Sequence, residues 1–505
     1  MRWLKPIRVT LAFVFLAVLA AAFLDFRGAV PASLAHWFAA VQLGPATLAA
    51  LAGGAFAAVA LGGLLLLTLL CGRVYCSVVC PLGIFQDIVA RLRRRSSAPL
   101  RFAPENKFVR YGVLAAALLA IALGATGVAS TLFDPYSHFG RIAATLGRPL
   151  VIAANNGLVP VAQALDSQAI YRVPLTIPPL ALVLFATAIT VVIVSLAVWR
   201  GRLYCNTLCP VGTVLGLLSR VSAFRVAIDR SACTKCADCL RACKAQCIDL
   251  RTGSVDASRC VACANCLGAC AHGGIRYRFA WRRSAPRAPN SERRAVVAGA
   301  LLLPPLAALE SVAPTTAPAR RPAIAPPGAQ SVERLLDRCT GCQLCVSACP
   351  TGVLQPAVLD YGWTGFAKPQ LDFNRAFCNF DCHRCGEVCP TSAISLLELA
   401  DKRLTSIGTA KFERTRCIVE TDGTDCAACS EHCPTKAVDT IPFRNNLRLP
   451  QVKEELCIGC GACEFACPVR PERAITVTTR SEHTRAQKAV EAKPMLPKPT
   501  GDFPF

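Results

Sequence analysis

Long apolar runs alternate with short basic stretches over the first 225 residues. Residues 7–24, 45–70, 109–129 and 175–199 each approach or exceed the ~20 helical residues that cross ~30 Å of hydrocarbon. The pattern predicts four spanning helices. Asp25, Phe26 and Arg27 follow the first run where a signal peptide would show small residues, so it reads as an uncleaved anchor. Basic residues precede the first run (Arg2, Lys5, Arg8). They also follow the second (Arg73, Arg91, Arg93, Arg94, Arg95, Arg101, Lys107) and the fourth (Arg200, Arg202, Arg220, Arg225). If the spans alternate, all of these lie on one side, which the positive-inside rule makes the cytoplasm. The outer loop 130–174 has an apolar middle that suits an interfacial or re-entrant helix.

Beyond residue 225 the pattern changes. Residues 226–280 form a cysteine-dense soluble unit, and 281–330 are a Pro/Ala-rich linker that contains an apolar stretch at 295–309. Residues 331–480 form a second cysteine-dense unit, and 481–505 read as a loose tail.

Only 17% of the residues are charged and 53% are hydrophobic, against about 25% charged in soluble domains, which excludes a disordered chain. The formal net charge of +23 suggests nucleic acid at first. The basic residues, however, flank apolar runs, and the formal charge counts every cysteine as neutral. No nucleic-acid partner is expected; anionic lipid and thiolate-bound metal balance the excess.

The 30 cysteines fall into repeats. Cys233, Cys236, Cys239 and Cys243 have the spacing C-x2-C-x2-C-x3-C, as do Cys260, Cys263, Cys266 and Cys270. That run holds a [4Fe–4S] cubane through its first three cysteines, and its fourth reaches the neighbouring cluster. One cluster is therefore expected on Cys233, Cys236, Cys239 and Cys270, the other on Cys260, Cys263, Cys266 and Cys243. The second unit repeats the theme with Cys339, Cys342, Cys345 and Cys349; Cys378, Cys382, Cys385 and Cys389; Cys417, Cys426, Cys429 and Cys433; and Cys457, Cys460, Cys463 and Cys467. Pro350, Pro390, Pro434 and Pro468 follow the fourth cysteines, as in bacterial ferredoxin runs, whereas Lys244 and Ala271 depart from that pattern. The expected total is six [4Fe–4S] clusters. Structural zinc prefers two C-x2-C pairs split by a longer loop, so four cysteines within eleven residues favour the cubane. Cys247 is left over and reads as a small buried packing residue or, alternatively, as an auxiliary ligand.

Two further motifs follow the second and fourth apolar runs. Both contain G-R-x-Y-C-x3-C-P-x-G, with Cys76 and Cys80 in one copy and Cys205 and Cys209 in the other. The duplication points to a repeated two-span unit. Its four thiols either converge on a metal or act as redox thiols; the alternative is packing, with Arg73 and Arg202 as basic anchors. In the outer loop, Asp134, His138 and Arg141 read as an Asp-Pro turn with a solvated histidine in preference to a proton acceptor.

At these residues the chain resembles two families joined end to end. Residues 1–280 resemble NapH, the membrane ferredoxin associated with periplasmic nitrate reductase, on four spans, the C-x3-C-P copies at 76–81 and 205–210, and two cubane runs. NosR and CcoG-type assembly proteins share the G-R-x-Y-C-x3-C-P element. Residues 331–480 resemble NapG/MauM, a four-cluster periplasmic electron-transfer protein, on C-x3-C-x2-C-x3-C-P at 378–390 and the long-gap run from Cys417. NapG carries a twin-arginine export signal; here Arg293 and Arg294 precede the apolar stretch 295–309, without the usual phenylalanine.

The expected architecture is an α-helical membrane bundle of four spans plus a fifth at 295–309, followed by α+β bacterial ferredoxin-like [4Fe–4S] domains. The resemblance implies electron transfer in the bacterial inner membrane from the quinol pool to a periplasmic terminal reductase. Residues 226–280 would then face the cytoplasm and 331–480 the periplasm. An assembly factor that reduces a metal, or a redox sensor, is the rival; the number of cluster runs argues against both.

Overall fold

The computed structural model describes residues 3–93, 102–175, 177–279 and 322–488. The twin arginines and the apolar stretch 295–309 lie outside the described residues, as does most of the expected tail. The chain divides into two compact units. One comprises Met1–Asp372 with His383–Leu397, the other Phe373–Cys382 with Glu398–Phe505.

In the first unit, α1 (Leu4–Leu24) is continuous and apolar, with Pro6 in its first turn, where the missing N–H costs no bond. It ends at Asp25, whose carboxylate takes the backbone N–H groups of Arg27, Gly28 and Val30. The second apolar run is not one helix. It splits into α3 (Leu43–Leu51) and α4 (Ala55–Cys71), because Gly53 takes a left-handed φ of 87° and Gly54 follows it. Before it, α2 (Ala32–Ala40) meets α3 at an 88° bend. The third run breaks in the same way at Gly124, φ 80°, giving a helix at Lys107–Ala122 and another at Thr126–Phe133. The fourth run is a single helix, Leu180–Arg200. Among the described residues, two helices, Leu4–Leu24 and Leu180–Arg200, are thus long and apolar enough to cross a membrane, or three spans if the bent pair counts as one. The second and third of the four expected spans are broken by glycine, which an apolar count does not register. Phe13, Leu66 and Leu184 stand exposed on these helices, the outward apolar surface that lipid would cover.

The outer loop is helical. Pro135–Arg141 leads through a π-helical turn, Ile142–Gly147, into Arg148–Ala164. The first soluble region is then framed by antiparallel pairing of Phe224–Ile228 with Ile275–Phe279, which closes its two ends on each other. A short pair, Ile248–Asp249 with Ser254–Val255, lies between.

The second unit has the same economy of structure. Thr405–Phe412 pairs with Ile475–Arg485, and Val438–Pro442 with Arg448–Val452. The strand at Ile475–Arg485 runs past the boundary expected at residue 480. Its core is built largely from cysteines, among them Cys417, Cys433, Cys457, Cys463 and Cys467, together with Val419, Val438 and Ile475. Such a core has little aliphatic mass of its own.

Candidate iron–sulfur and thiol sites

In four of the cysteine runs the same two positions hold left-handed backbone: Lys235 and Ala237, Ala262 and Ala264, Gly341 and Gln343, Gly459 and Gly461. Alternating handedness turns successive N–H groups to one side and makes a concave anion nest, the backbone form that iron–sulfur sites use. Non-glycine residues there bear a steric cost that only a recurring requirement sustains. One N–H already points at sulfur, that of Gly341 at 3.4 Å from Cys339 Sγ.

Two cavities sit inside these nests. One is lined by Cys233, Cys236, Cys239 and Cys270. The other is lined by Cys243, Cys260, Cys263 and Cys266, with Cys247 beside them. Further along the first unit, Cys345 lies within electrostatic reach of Cys339, Cys342 and Cys389. In the second unit Cys429 is in reach of Cys417, Cys426 and Cys467, and Cys463 of Cys433, Cys457 and Cys460. Of the other ferredoxin-run cysteines, Cys349 and Cys385 belong to the first unit and Cys378 and Cys382 to the second.

Among the described residues no three His, Cys, Asp or Glu side chains converge tightly enough for a single metal ion. Four thiols around a cavity fit a cluster, which brings its own volume, better than zinc. Burial pushes the Cys339 thiol up to about 11 and Cys429 up to about 12, so these thiolates need the charge of a metal beside them. Cys247 is buried, its sulfur lies 3.6 Å from Cys243 Sγ, and that contact pulls the Cys243 thiol down.

The duplicated motifs build a second kind of site. Each preceding helix ends on a left-handed glycine, Gly72 at φ 73° and Gly201 at φ 66°. The next residue, Arg73 or Arg202, does not anchor at the surface as expected; both are fully buried and cross to the other copy. Arg73 donates to Cys205 O at 3.0 Å and to Asn206 Oδ1 at 2.8 Å. Arg202 donates to Cys76 O at 2.6 Å and to Asp87 Oδ1 at 2.7 Å. Each guanidinium also lies 3.8 Å from a motif sulfur, Arg73 from Cys76 and Arg202 from Cys205.

The last motif glycines make this crossing possible. A Cβ on Gly212 would sit 2.1 Å from Cys205 O and 2.8 Å from Arg73 Nη2; one on Gly83 would meet Cys76 O and Arg202 Nη1 in the same way. Cys76, Cys80, Cys205 and Cys209 are all buried, and Cys209 is in electrostatic reach of the other three. Burial alone would raise the Asp87 carboxyl, but Arg202 and Lys244 hold it below the usual carboxylate range. Arg73 donates to the Asn206 amide oxygen, to Ser258 O and Cys205 O and toward the Cys76 sulfur, and among the described residues its Nε, like Arg202 Nη2, is buried with no hydrogen-bond acceptor. Two buried cations facing four thiols suit a site whose sulfurs are ionised.

The outer-loop segment also departs from expectation. Asp134, His138 and Arg141 are buried, with His138 only 5% exposed, so the solvated-histidine reading is wrong. The cause is tertiary packing, which buries every residue of Pro135–Arg141. Asp134 Oδ2 caps the next helix through Ser137 N at 3.0 Å. His138 Nδ1 lies 3.0 Å from Arg141 Nη2, which can only donate, and so Nε2 carries the proton and donates to Leu132 O at 2.9 Å. The imidazole is held as one neutral tautomer. Its ring lies 6.5 Å from that of Tyr204, beside Cys205. On its other flank, a Cβ on Gly140 would meet Cys342 O at 2.4 Å, and Tyr136 is in reach of Cys342 and Cys389.

Comparison with known proteins agrees with this inventory. Residues 54–99 and 180–228, which hold both C-x3-C-P copies, match a 4Fe-4S binding domain. Residues 256–353 match a 4Fe-4S dicluster domain, and 338–394 with 423–471 match another. The chain is 30% identical over 146 residues to the ferredoxin-type protein NapF of Escherichia coli, covering 29% of this chain and 80% of NapF. It is 32% identical over 199 residues to the methylamine utilization ferredoxin-type protein MauN of Paracoccus denitrificans, covering 38% and 57%. Against the ferredoxin-type protein NapH of E. coli it is 31% identical over 203 residues, covering 39% and 58%. No solved structure matches. Repeated anion nests, cysteine-lined cavities and these relatives lead to one conclusion: the chain belongs to the family of ferredoxin-type 4Fe-4S electron-transfer proteins.

Proposed function

We propose that the chain is a membrane electron-transfer protein of an anaerobic respiratory system, which takes electrons from quinol and delivers them to a reductase or carrier on the periplasmic side. It joins a NapH-type membrane half to a NapG/MauM-type four-cluster half. Six [4Fe–4S] clusters would be held by the cysteine runs, and Cys76, Cys80, Cys205 and Cys209 would together hold one further iron–sulfur centre. When bound, such clusters accept and release single electrons. The chain's own residues fix where they sit, exclude water from them, and set their potentials through charge and hydrogen bonds to sulfur.

The observation that carries this reading is the continuity of buried groups in the first unit. Ser258 O, two residues before Cys260, accepts from Arg73 at 2.9 Å. Arg73 reaches the motif cysteines, Tyr204 and His138 meet edge to face beyond them, and Gly140 and Tyr136 touch the Cys342 loop. The ends of α1 support opposite faces for the two ferredoxin regions. Arg8, near its start, pairs with Asp87, which also pairs with Lys244 of the 226–280 region. Phe23, near its end, packs on Tyr136 and Phe139 at 5.9 and 6.1 Å, beside the Cys342 loop. Between them lie 21 helical residues, about 30 Å at 1.5 Å each.

Two measurements test this. Anaerobic addition of a quinol to the purified full chain should bleach the visible absorbance of its oxidised clusters; bleaching by dithionite and not by any quinol overturns the quinol role. In intact spheroplasts, added protease should degrade epitopes within 331–480 and spare those within 226–280. Protection of both regions puts every cluster in the cytoplasm and replaces the periplasmic acceptor with a cytoplasmic one.

A further inference from the structure

If quinol is the donor, its two hydroxyl groups must meet the chain close to a redox site, and the inference here rests on that reading. A solvent-open cavity of about 280 Å³ in the first unit has the right borders. Its wall includes Asn206, Thr207 and Leu208, which lie in the chain between Cys205 and Cys209. It also includes Ala245 and Gln246, which lie between Cys243 and Cys247, and Arg259, which precedes Cys260. The cavity therefore touches the backbone of the motif thiol site and of the ferredoxin site nearest to it.

The rest of the wall suits an amphipathic ring with an apolar tail. Val109 comes from the start of the helix Lys107–Ala122, and Leu196 and Trp199 from the last turn of Leu180–Arg200. Trp at the end of an apolar helix marks the depth at which lipid headgroups begin. Glu105 supplies a carboxylate, ion-paired with Arg110, and Asn106 and Gln246 supply amides. Small-molecule pockets are likewise mostly apolar with a few placed polar groups.

We propose that this cavity takes the headgroup of a membrane quinol. The hydroxyl O–H bonds would break as the ring becomes a quinone, and its two electrons would pass one to each of two oxidised iron–sulfur centres, which the motif cysteines and Cys243, Cys260, Cys263 and Cys266 would hold. Two protons leave with them. Glu105 accepts the first at its carboxylate, passes it to water at the cavity mouth, and then accepts the second. Asn106 and Gln246 can donate to the quinone carbonyls that result.

A photoreactive azidoquinone tests the site on the purified full chain, with peptide mapping as a readout independent of turnover. Label is expected in peptides covering 103–109, 196–208 or 245–259, and excess unlabelled quinol should compete it away. Val109→Trp and Leu196→Trp narrow the cavity without touching a cysteine or its neighbours. Each should cut labelling and quinol-driven bleaching at least tenfold, while iron content and dithionite bleaching stay at the wild-type level. Glu105→Gln should keep the label and slow quinol-driven bleaching. Label confined to other peptides, or both Trp variants labelling like wild type, overturns the site. If quinol still bleaches the wild-type clusters in that case, only the cavity assignment fails. If no quinol bleaches them at all, the donor reading itself has failed and the site falls with it.

Discussion

Replacing Cys76 and Cys205 by serine should abolish reduction of the clusters by quinol and leave reduction by dithionite intact. Serine is close in size to cysteine, so the fold has no cavity to collapse into, and the change removes only sulfur. Cys76 and Cys205 are the two motif residues whose sulfurs face the crossing arginines and whose carbonyls those arginines hold. Losing both takes two of four ligands and leaves Arg73 and Arg202 facing hydroxyls. Dithionite is small and meets the exposed runs directly; Cys236, for example, is solvent-exposed. The measurement is stopped-flow bleaching with each reductant on the same anaerobic sample. Quinol-driven rates within twofold of wild type would return the four cysteines to a packing role.

Iron and acid-labile sulfide should exceed the ~24 of each per chain that six cubanes supply, by the content of one more centre. The same double serine variant should bring both back to about 24. The six cysteine runs set the lower figure, and the buried thiol site sets the excess. Charge supports the excess: four cysteines ligating a cubane give about −2 in its oxidised form, and two guanidiniums, each 3.8 Å from a motif sulfur, oppose it. Colorimetric iron and sulfide assays on protein purified without oxygen decide the matter. Values near 24 in wild type, unchanged in the variant, remove the further centre; stoichiometric zinc removes the cubanes.

The cysteine runs were legible because their chemistry is local. Spacing of two or three residues determines which sulfurs can share a cluster, and no tertiary information is needed. The cavity lined by Cys233, Cys236, Cys239 and Cys270 lies where that spacing put it. The anion nests were not legible, since Lys235, Ala237 and Ala262 give no sign of left-handed backbone in their side chains. The membrane half was legible only as hydropathy. Gly53 and Gly124 broke helices that an apolar count had joined, because hydropathy does not see backbone freedom. Arg73 and Arg202 looked like surface anchors and Asp134–Arg141 like a wet turn. A charged residue next to an apolar run normally faces water, and only the packing of distant segments shows that these do not. The repeated glycine of G-R-x-Y-C-x3-C-P-x-G was the one available signal: a fixed glycine two residues after the proline calls for a close approach, and the guanidinium of the other copy makes it.

The crossed arginines also order the biosynthesis of the protein in time. Arg73 leaves the ribosome 133 residues before Asn206, the residue that accepts from it, and Arg202 is made 126 residues after Cys76. Until the second copy has been translated, Arg73 lacks Cys205 O and Asn206 Oδ1, two of the acceptors it has in the finished fold. The buried thiol set is therefore complete only after both copies have been made, because Cys76 and Cys80 come from the first and Cys205 and Cys209 from the second.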